Sequence, residues 1–143
     1  MIFVALLLTP TLVWDGGWAF QCRFHILDSH NLWPVRDAKI RVVEESQLAD
    51  FLNTNYAAMF PVTITDTNGF ATVVVPTRAG GSQRFFSRSG SFGVRHELLI
   101  EADGYRPLST GLANVVGGRR WPLTKRVFDV ELVMFKIPDA NAQ

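Results

Sequence analysis

The stretch VRHELLIEA, residues 94–102, places mostly apolar side chains at every second position and charged side chains between them. The stretch VFDVELVMF, residues 127–135, repeats this alternation, and shorter versions occur at residues 23–28 and 38–44. Successive side chains of a strand point to opposite faces of a sheet, so a period of two predicts strands that are buried on one side. Short strands separated by turn residues are typical of an all-β sandwich or barrel.

A turn and a helical segment are expected in the middle of the chain. Asn68-Gly69 supplies the positive φ angles that a tight hairpin requires, so we expect residues 62–65 and 70–75 to be paired strands. Apolar side chains in residues 46–60 fall at helical spacing, and several alanines there favour helix. This segment predicts a short helical insertion.

Two glycine-rich segments are expected to be loops. Residues 77–93 combine Gly, Ser and Arg, and we expect a mobile loop in which Phe85-Phe86 forms a short edge segment. Residues 117–120, GGRR, indicate another loop. Neither segment has the companion residues of a phosphate-binding or dinucleotide-binding glycine loop.

Length, net charge and cysteine count argue against several classes of function. A chain of 143 residues with 48% apolar residues is long enough for one globular domain and short for two. Its net charge of +1 argues against nucleic acid, acidic polymers and membrane surfaces as partners of the chain as a whole. The single cysteine, Cys22, excludes an intrachain disulfide and a cysteine-rich zinc site, and we expect a lone buried thiol.

The amino terminus has the pattern of an export signal. Residues 1–14 form an uncharged, largely apolar run that is too short to span a bilayer, and Gly17 and Ala19 are small residues before a cleavage after Ala19. We therefore expect export to the periplasm, the cell envelope or the extracellular space. The alternative is a buried first strand or a misassigned start. The expected organisation is a signal peptide (1–19), a folded domain (20–136) and a disordered tail (137–143).

Three groups of residues, in order, match a family pattern. They are ILD at 26–28 with PVRDAKI at 34–40, TDTNGF at 65–70, and LLIEADGY at 98–105 with a final VEL at 130–132. With their connections they cover most of residues 24–135. The chain resembles the carboxypeptidase-regulatory-like domains of the transthyretin-like (prealbumin-like) β-sandwich group. The resemblance implies an all-β fold, a seven-stranded Greek-key β-sandwich, and a non-enzymatic accessory module, often in secreted or cell-envelope proteins.

The matching residues are devices of the fold. Asp28 closes a strand and initiates a turn, Ala38 is small where the sheets approach, and Gly104 lets Tyr105 fold back over the end of the sandwich. The segments 46–60 and 77–93 depart from the family pattern, and an individual function is expected there.

An enzymatic relative of the same fold supplies an alternative. His25, in HILD, resembles the first catalytic histidine of the 5-hydroxyisourate hydrolases, and His96 is a candidate for the second. That family has Arg where this chain has Phe70, and its Tyr-Arg-Gly-Ser ending is missing. The groups that would orient water and stabilise an oxyanion are then unaccounted for, so we assign no catalytic residue.

The three histidines are also candidate metal ligands. His25, His96 and His30 have no clear ligand spacing, so hydrogen-bonded strand histidines and a solvated turn histidine are expected, without a metal or other cofactor.

Aromatic and basic residues mark the candidate binding surfaces. Trp33 and Trp121 lie in predicted loops beside prolines, where they could stack on sugar rings or dock a partner protein, or cap the ends of the sandwich. Arg84, Phe85 and Arg88 suggest an anion-binding or single-stranded nucleic-acid surface, with a solvated loop as the alternative that we favour.

These patterns together predict an exported, non-catalytic β-sandwich module with a binding or structural role. The alternatives are a carbohydrate-binding module and a degenerate transthyretin-like hydrolase. We expect an unknown protein or glycan partner, no nucleic acid, no stable transmembrane span, and a monomer or weak homodimer.

Overall fold

The computed structural model describes residues 11–53, 61–84 and 87–138, and within them the chain is mostly β. The strands are β1 (Leu12–Asp28), β2 (Lys39–Glu44), β3 (Thr63–Ile64), β4 (Phe70–Arg84), β5 (Ser87–Gly93), β6 (His96–Glu101), β7 (Leu108–Gly111), β8 (Arg120–Pro122) and β9 (Val127–Met134). The helical elements are a 3-10 turn (Glu45–Gln47), α1 (Leu48–Leu52) and α2 (Leu112–Val116). A short helical insertion is therefore present where one was expected, and its predicted remainder at residues 54–60 lies outside the described residues.

Two sheets make up the fold. One has five strands in the order β8-β5-β4-β1-β9, and the other has four in the order β3-β2-β6-β7. Neighbouring strands are antiparallel except β1 and β9, which run parallel. The prediction of an all-β, two-sheet fold is confirmed. The finer prediction of seven strands is not confirmed, because the described residues form nine, and β5 and β8 arise from segments expected to be loops.

The core lies between the two sheets and follows the alternation of the sequence. Every second residue of β1 from Phe20 to Ile26 is buried, and these side chains pack with alternate residues of β2 and β6. The members that are at most 1% exposed are Phe20, Cys22, Phe24, Ile26, Ile40, Leu98 and Ile100. Strand β9 adds Phe128, Val130 and Met134. Burial of each large apolar side chain contributes about 1.5–3 kcal/mol, so this alternation accounts for much of the driving force of folding.

Strand β1 extends well before the segment 23–28 in which a strand was predicted. Its first part, Leu12 to Ala19, pairs with β4 from Gln83 back to Pro76. The predicted cleavage after Ala19 thus falls inside the strand. Export with cleavage there stays a prediction, and it would remove one strand from the outer part of the five-stranded sheet.

The expectation of a mobile loop at residues 77–93 is wrong for the residues that the structure describes. From Ala79 to Gln83, β4 is paired with β1 on one side and with β5 on the other. Within this segment, Gly81 and Gly90 lie where a Cβ atom would overlap neighbouring atoms. Phe85 and its neighbour Phe86 lie outside the described residues.

The turn at Asp66–Gly69 forms, but it does not join a hairpin. The Asp66 carboxylate accepts the backbone N–H of Phe70 at 2.9 Å, and Gly69 has a φ of 76°. The Gly69 carbonyl accepts the N–H of Ile26 at 2.9 Å. Strand β3 pairs with β2 and strand β4 with β1, so the turn carries the chain from one sheet to the other. The predicted pairing of residues 62–65 with 70–75 is therefore wrong.

The segment around residues 117–120 is also more regular than predicted. Helix α2 ends just before Gly117, and β8 begins at Arg120 and pairs with β5.

Among the described residues, no helix has both the length and the apolar character of a membrane-spanning segment.

Candidate ligand-binding cleft

The outer part of the five-stranded sheet is a three-stranded ribbon in which tryptophan lies beside glycine. Trp14 of β1 is the register partner of Gly81 in β4, which is the partner of Gly90 in β5. A Cβ atom at Gly90 would lie 2.7 Å from Cζ2 of Trp14 and 2.8 Å from Cδ1 of Leu123. Glycine therefore leaves the space that the indole of Trp14 and the Leu123 side chain fill.

A cleft opens where this ribbon meets the connection between β8 and β9. Its volume is about 790 Å³, and its lining combines apolar, hydroxyl and guanidinium groups. The lining residues are Trp18, Arg88, Ser89, Gly90, Pro122, Leu123, Thr124 and Arg126. A concave, largely apolar surface with a few converging polar groups is the usual form of a small-ligand site.

Two arginines of the cleft lie over tryptophan rings. The guanidinium carbon of Arg88 is 5.0 Å from the ring centre of Trp14, and that of Arg126 is 4.8 Å from the ring centre of Trp18. Both distances are in the range of cation–π attraction, which contributes about 0.5–1 kcal/mol at exposed sites. The rings therefore restrain side chains that would otherwise move freely in solvent.

These two arginines differ from several others on the same fold. Arg23 pairs with Asp129, Arg41 with Glu101 and Arg78 with Asp15, at distances of 2.7–3.0 Å. Over the described ranges, neither Arg88 nor Arg126 makes a salt bridge. The cleft consequently carries two positive charges that no carboxylate of the described residues neutralises.

The two indole N–H groups near the cleft are also without acceptors. Nε1 of Trp14 and Nε1 of Trp18 are buried and have no hydrogen-bond partner in the part of the chain that the structure describes. Trp121 differs, because its Nε1 donates to the carbonyl of Gly118 at 3.1 Å. An unpaired buried donor is unfavourable by about 1–3 kcal/mol, so this corner of the fold would gain from an added acceptor.

The candidate binding residues predicted from the sequence lie in different parts of the fold. Arg88 lines the cleft, whereas Arg84 donates to the Thr11 hydroxyl at 3.0 Å and Phe85 lies outside the described residues. Trp33 is 71% exposed in the β1–β2 connection. Trp121 lies in β8 rather than in a loop, is half-buried, and contacts Phe128 edge-on at 5.0 Å.

The histidines do not come together. His25 lies on the outer face of the five-stranded sheet, stacks on Phe70 at 4.1 Å and has Nδ1 3.4 Å from the Glu131 carboxylate. His96 lies in the four-stranded sheet, faces the core, and donates from Nε2 to the Pro76 carbonyl at 2.9 Å. Burial lowers the pKa of His96, which favours its neutral form.

Metal-ligand groups are likewise dispersed. In the described ranges, no set of three or more His, Cys, Asp or Glu side chains is placed to hold a metal ion. His30 is an exposed turn residue whose backbone N–H bonds to Asp28. Cys22 is a free thiol in the core, and burial raises its pKa to about 12. A thiol with so high a pKa is poorly suited to nucleophilic chemistry.

Among the described carboxyl groups, that of Asp28 has the most strongly shifted pKa, and its contacts stabilise the fold. Asp28 is 2% exposed, and its carboxylate accepts the His30 N–H at 2.8 Å and the Tyr105 hydroxyl at 2.9 Å and lies 3.0 Å from Nζ of Lys136. The His30 N–H, followed by Lys136, holds the pKa of this carboxyl well below its usual range. As expected from the sequence, Asp28 starts a turn and Tyr105 folds back over the end of the sandwich.

Of the eight residues that line the cleft, only Arg88 was among the candidate binding residues named from the sequence. Trp18, together with Trp14 beside the cleft, was assigned to a signal peptide, and Arg126 was not singled out. One signal was available, because Trp14, Gly16 and Trp18 continue the alternation that begins at Phe20. Extending the period of two backwards would have placed both indoles on the core-facing side of β1.

Compared with known protein families and with curated protein sequences, the chain matches no family model and no curated sequence.

Proposed function

We propose that this chain is a non-catalytic binding module of an exported protein that keeps residues 11–19 after export, and that its ligand or partner binds in the cleft beside Trp18. The observation that carries the proposal is the pair of arginines, Arg88 and Arg126, each lying over a tryptophan ring and neither paired with a carboxylate of the described residues. Restrained cations at a concave surface are the kind of feature by which a protein fixes the orientation of a ligand.

The fold supports the family part of the proposal. When β5 and β8 are set aside, seven strands remain in two sheets, as expected of a transthyretin-like, carboxypeptidase-regulatory-like sandwich. Strand β5 comes from the segment 77–93, which departs from the family pattern, whereas β8 lies outside both departing segments. Strand β5 also lines the cleft, which fits the expectation that an individual function resides in such departures.

The positions of the histidines support a non-catalytic role. A hydrolase of the related type would need two histidines at one site, whereas His25 faces outward from one sheet and His96 faces the core from the other. The degenerate-hydrolase alternative is therefore the weaker one.

A carbohydrate-binding role is the second candidate. Trp18 lies in the cleft together with the hydroxyl groups of Ser89 and Thr124. Aromatic surface beside hydrogen-bonding groups suits a sugar ring, which has both an apolar face and hydroxyl groups.

Blocking the cleft tests the proposal. Thr124 is an exposed lining residue, so Thr124→Trp should fill the cleft without disturbing the core, and Thr72→Trp on the outer face of β4 is the matched control. Binding of soluble oligosaccharides and of polysaccharides is measured for both variants and for the unchanged chain. We expect binding that Thr124→Trp abolishes and Thr72→Trp retains. Binding that survives in Thr124→Trp would place the ligand elsewhere and contradict the proposal.

Oligomeric state is measured alongside by analytical ultracentrifugation. The proposal includes a monomer or a weak homodimer, in which β7 or β9, which are edge strands, could pair with a second copy. A stable higher oligomer at low micromolar concentration would contradict this part.

A further inference from the structure

We propose that the ligand of the cleft is a saccharide that carries carboxylate groups, such as a uronic-acid oligosaccharide. This inference rests on the proposed function, because it names the class of ligand for the same cleft. It is carried by three features: the free edges of two guanidinium groups, the charge of the segments around them, and the mixed lining of the cleft.

The arginines over the tryptophan rings keep their hydrogen-bond donors available. A guanidinium group has five N–H donors, and within the described ranges neither Arg88 nor Arg126 uses one in a side-chain hydrogen bond or a salt bridge with the protein. Arg88 and Arg126 are both exposed and both line the cleft. Their donors can therefore bind a carboxylate in the two-pronged geometry that makes arginine–carboxylate pairs strong and directional.

The segments that line the cleft are locally basic, although the whole chain has a net charge of only +1. The first part of β1, strand β5 and residues 122–126 hold four charged side chains, which are Asp15, Arg88, Lys125 and Arg126. Asp15 is the single carboxylate among them, and it pairs with Arg78 at 2.9 Å on the outer face of the sheet. A carboxylate that enters the cleft thus meets two lining cations, Arg88 and Arg126, and no protein carboxylate from these segments.

The remaining lining suits a sugar better than a nucleic-acid strand. Pro122, Leu123 and Trp18 offer apolar surface, while Ser89 and Thr124 offer hydroxyl groups. Single-stranded nucleic acid is bound by exposed aromatic faces on which bases stack. Here Arg126 covers a face of the Trp18 ring. The hydroxyl groups of a pyranose can instead bond to the hydroxyl side chains of Ser89 and Thr124.

Calorimetric titration of the full chain with trigalacturonic acid tests the inference, with neutral maltotriose and a short oligothymidylate as comparison ligands. The test variant is Arg88→Gln with Arg126→Gln. The control is Arg23→Gln with Arg78→Gln, which removes the same charge from exposed arginines on the outer face. Melting temperatures of both variants check that they fold.

We expect trigalacturonic acid to bind more tightly than either comparison ligand. The test variant should bind it about tenfold or more weakly, because two charge-assisted contacts are lost. The control should retain the affinity. Equal affinity for maltotriose, tighter binding of the oligothymidylate, or unchanged affinity in the folded test variant would each overturn the inference.

Failure of the inference can be told apart from failure of the proposed function. If maltotriose binds and Thr124→Trp abolishes that binding, the cleft is a binding site and only the acidic ligand class is wrong. If trigalacturonic acid binds equally well to Thr124→Trp and to the unchanged chain, both proposals fail.

Discussion

Replacing Phe20 by alanine is predicted to destabilise the whole chain, because this side chain links the core to the ribbon that carries the cleft. Its ring is 1% exposed, stacks on Phe92 at 5.2 Å and meets Phe128 edge-on at 5.4 Å. A buried phenylalanine removes about 150–200 Å² from water, which at about 25 cal/mol per Å² corresponds to about 4–5 kcal/mol. Substitutions of this type in protein cores lower the free energy of unfolding by about 3–5 kcal/mol, in agreement with that area.

Urea unfolding followed by circular dichroism measures this effect. We expect Phe20→Ala to lower the free energy of unfolding by about 4 kcal/mol, with a fall in Tm of roughly 8–16 °C for a chain of this size. If this variant does not fold, Phe20→Leu keeps most of the volume and should lose a smaller, measurable amount. Val74→Ala is the control, because Val74 is 59% exposed on the same sheet and should change the free energy by less than about 0.5 kcal/mol. A loss below about 1 kcal/mol in Phe20→Ala would refute the packing described for β1.

Three other positions test the polar contacts and the strand pairing. The pKa of Asp28 is lowered in the fold, so its stabilising contribution is complete above about pH 5 and declines as the pH falls below about 4. The difference in Tm between the unchanged chain and Asp28→Asn should therefore shrink from pH 6 to pH 3, and a widening difference would contradict the assignment. The buried Thr65 hydroxyl bridges a backbone N–H and a backbone carbonyl at 2.9 and 2.8 Å, so Thr65→Val should lower the free energy of unfolding by about 2 kcal/mol. No measurable loss in urea unfolding would show that this bridge is absent. A methyl group at Gly81 would overlap the backbone of Ser89, whereas one at Gly17 meets nothing within 4 Å, so Gly81→Ala should melt well below Gly17→Ala, and equal melting temperatures would contradict the pairing of β4 with β5.

Local patterns predicted the strands whose side chains alternate most regularly. Strands β2, β6 and β9 lie within the segments expected from the period of two, and the turn at Asp66–Gly69 forms where Asn-Gly predicted one. The predicted pairing of the strands on either side of that turn was wrong, because strand pairing depends on contacts between residues that are distant in sequence. Ile26, for example, bonds to Gly69, and Phe70 pairs with His25. A local sequence signal contains no such information.

The outer ribbon was missed because its composition is typical of a loop. Glycine and serine in residues 77–93 normally weaken a strand, but here Gly90 makes room for Trp14. That reason becomes visible only when β1 lies alongside β4. The cleft was missed for the same cause, since its members come from β1, β5 and the β8–β9 connection. The net charge of +1 also gave no indication of the basic cleft, because a sum over the chain does not show where unpaired arginines cluster.

Nuclear magnetic resonance of the tryptophan indole N–H groups tests the cleft most directly, because the chain has four tryptophans and each gives its own signal. Trigalacturonic acid is titrated into the ¹⁵N-labelled full chain, with signals assigned from Trp→Phe variants. Binding in the cleft predicts shifts of the signals of Trp14 and Trp18, which have no acceptor among the described residues, and little change at the exposed Trp33. Shifts confined to Trp33 or Trp121, or no shift at millimolar ligand, would contradict binding at this site.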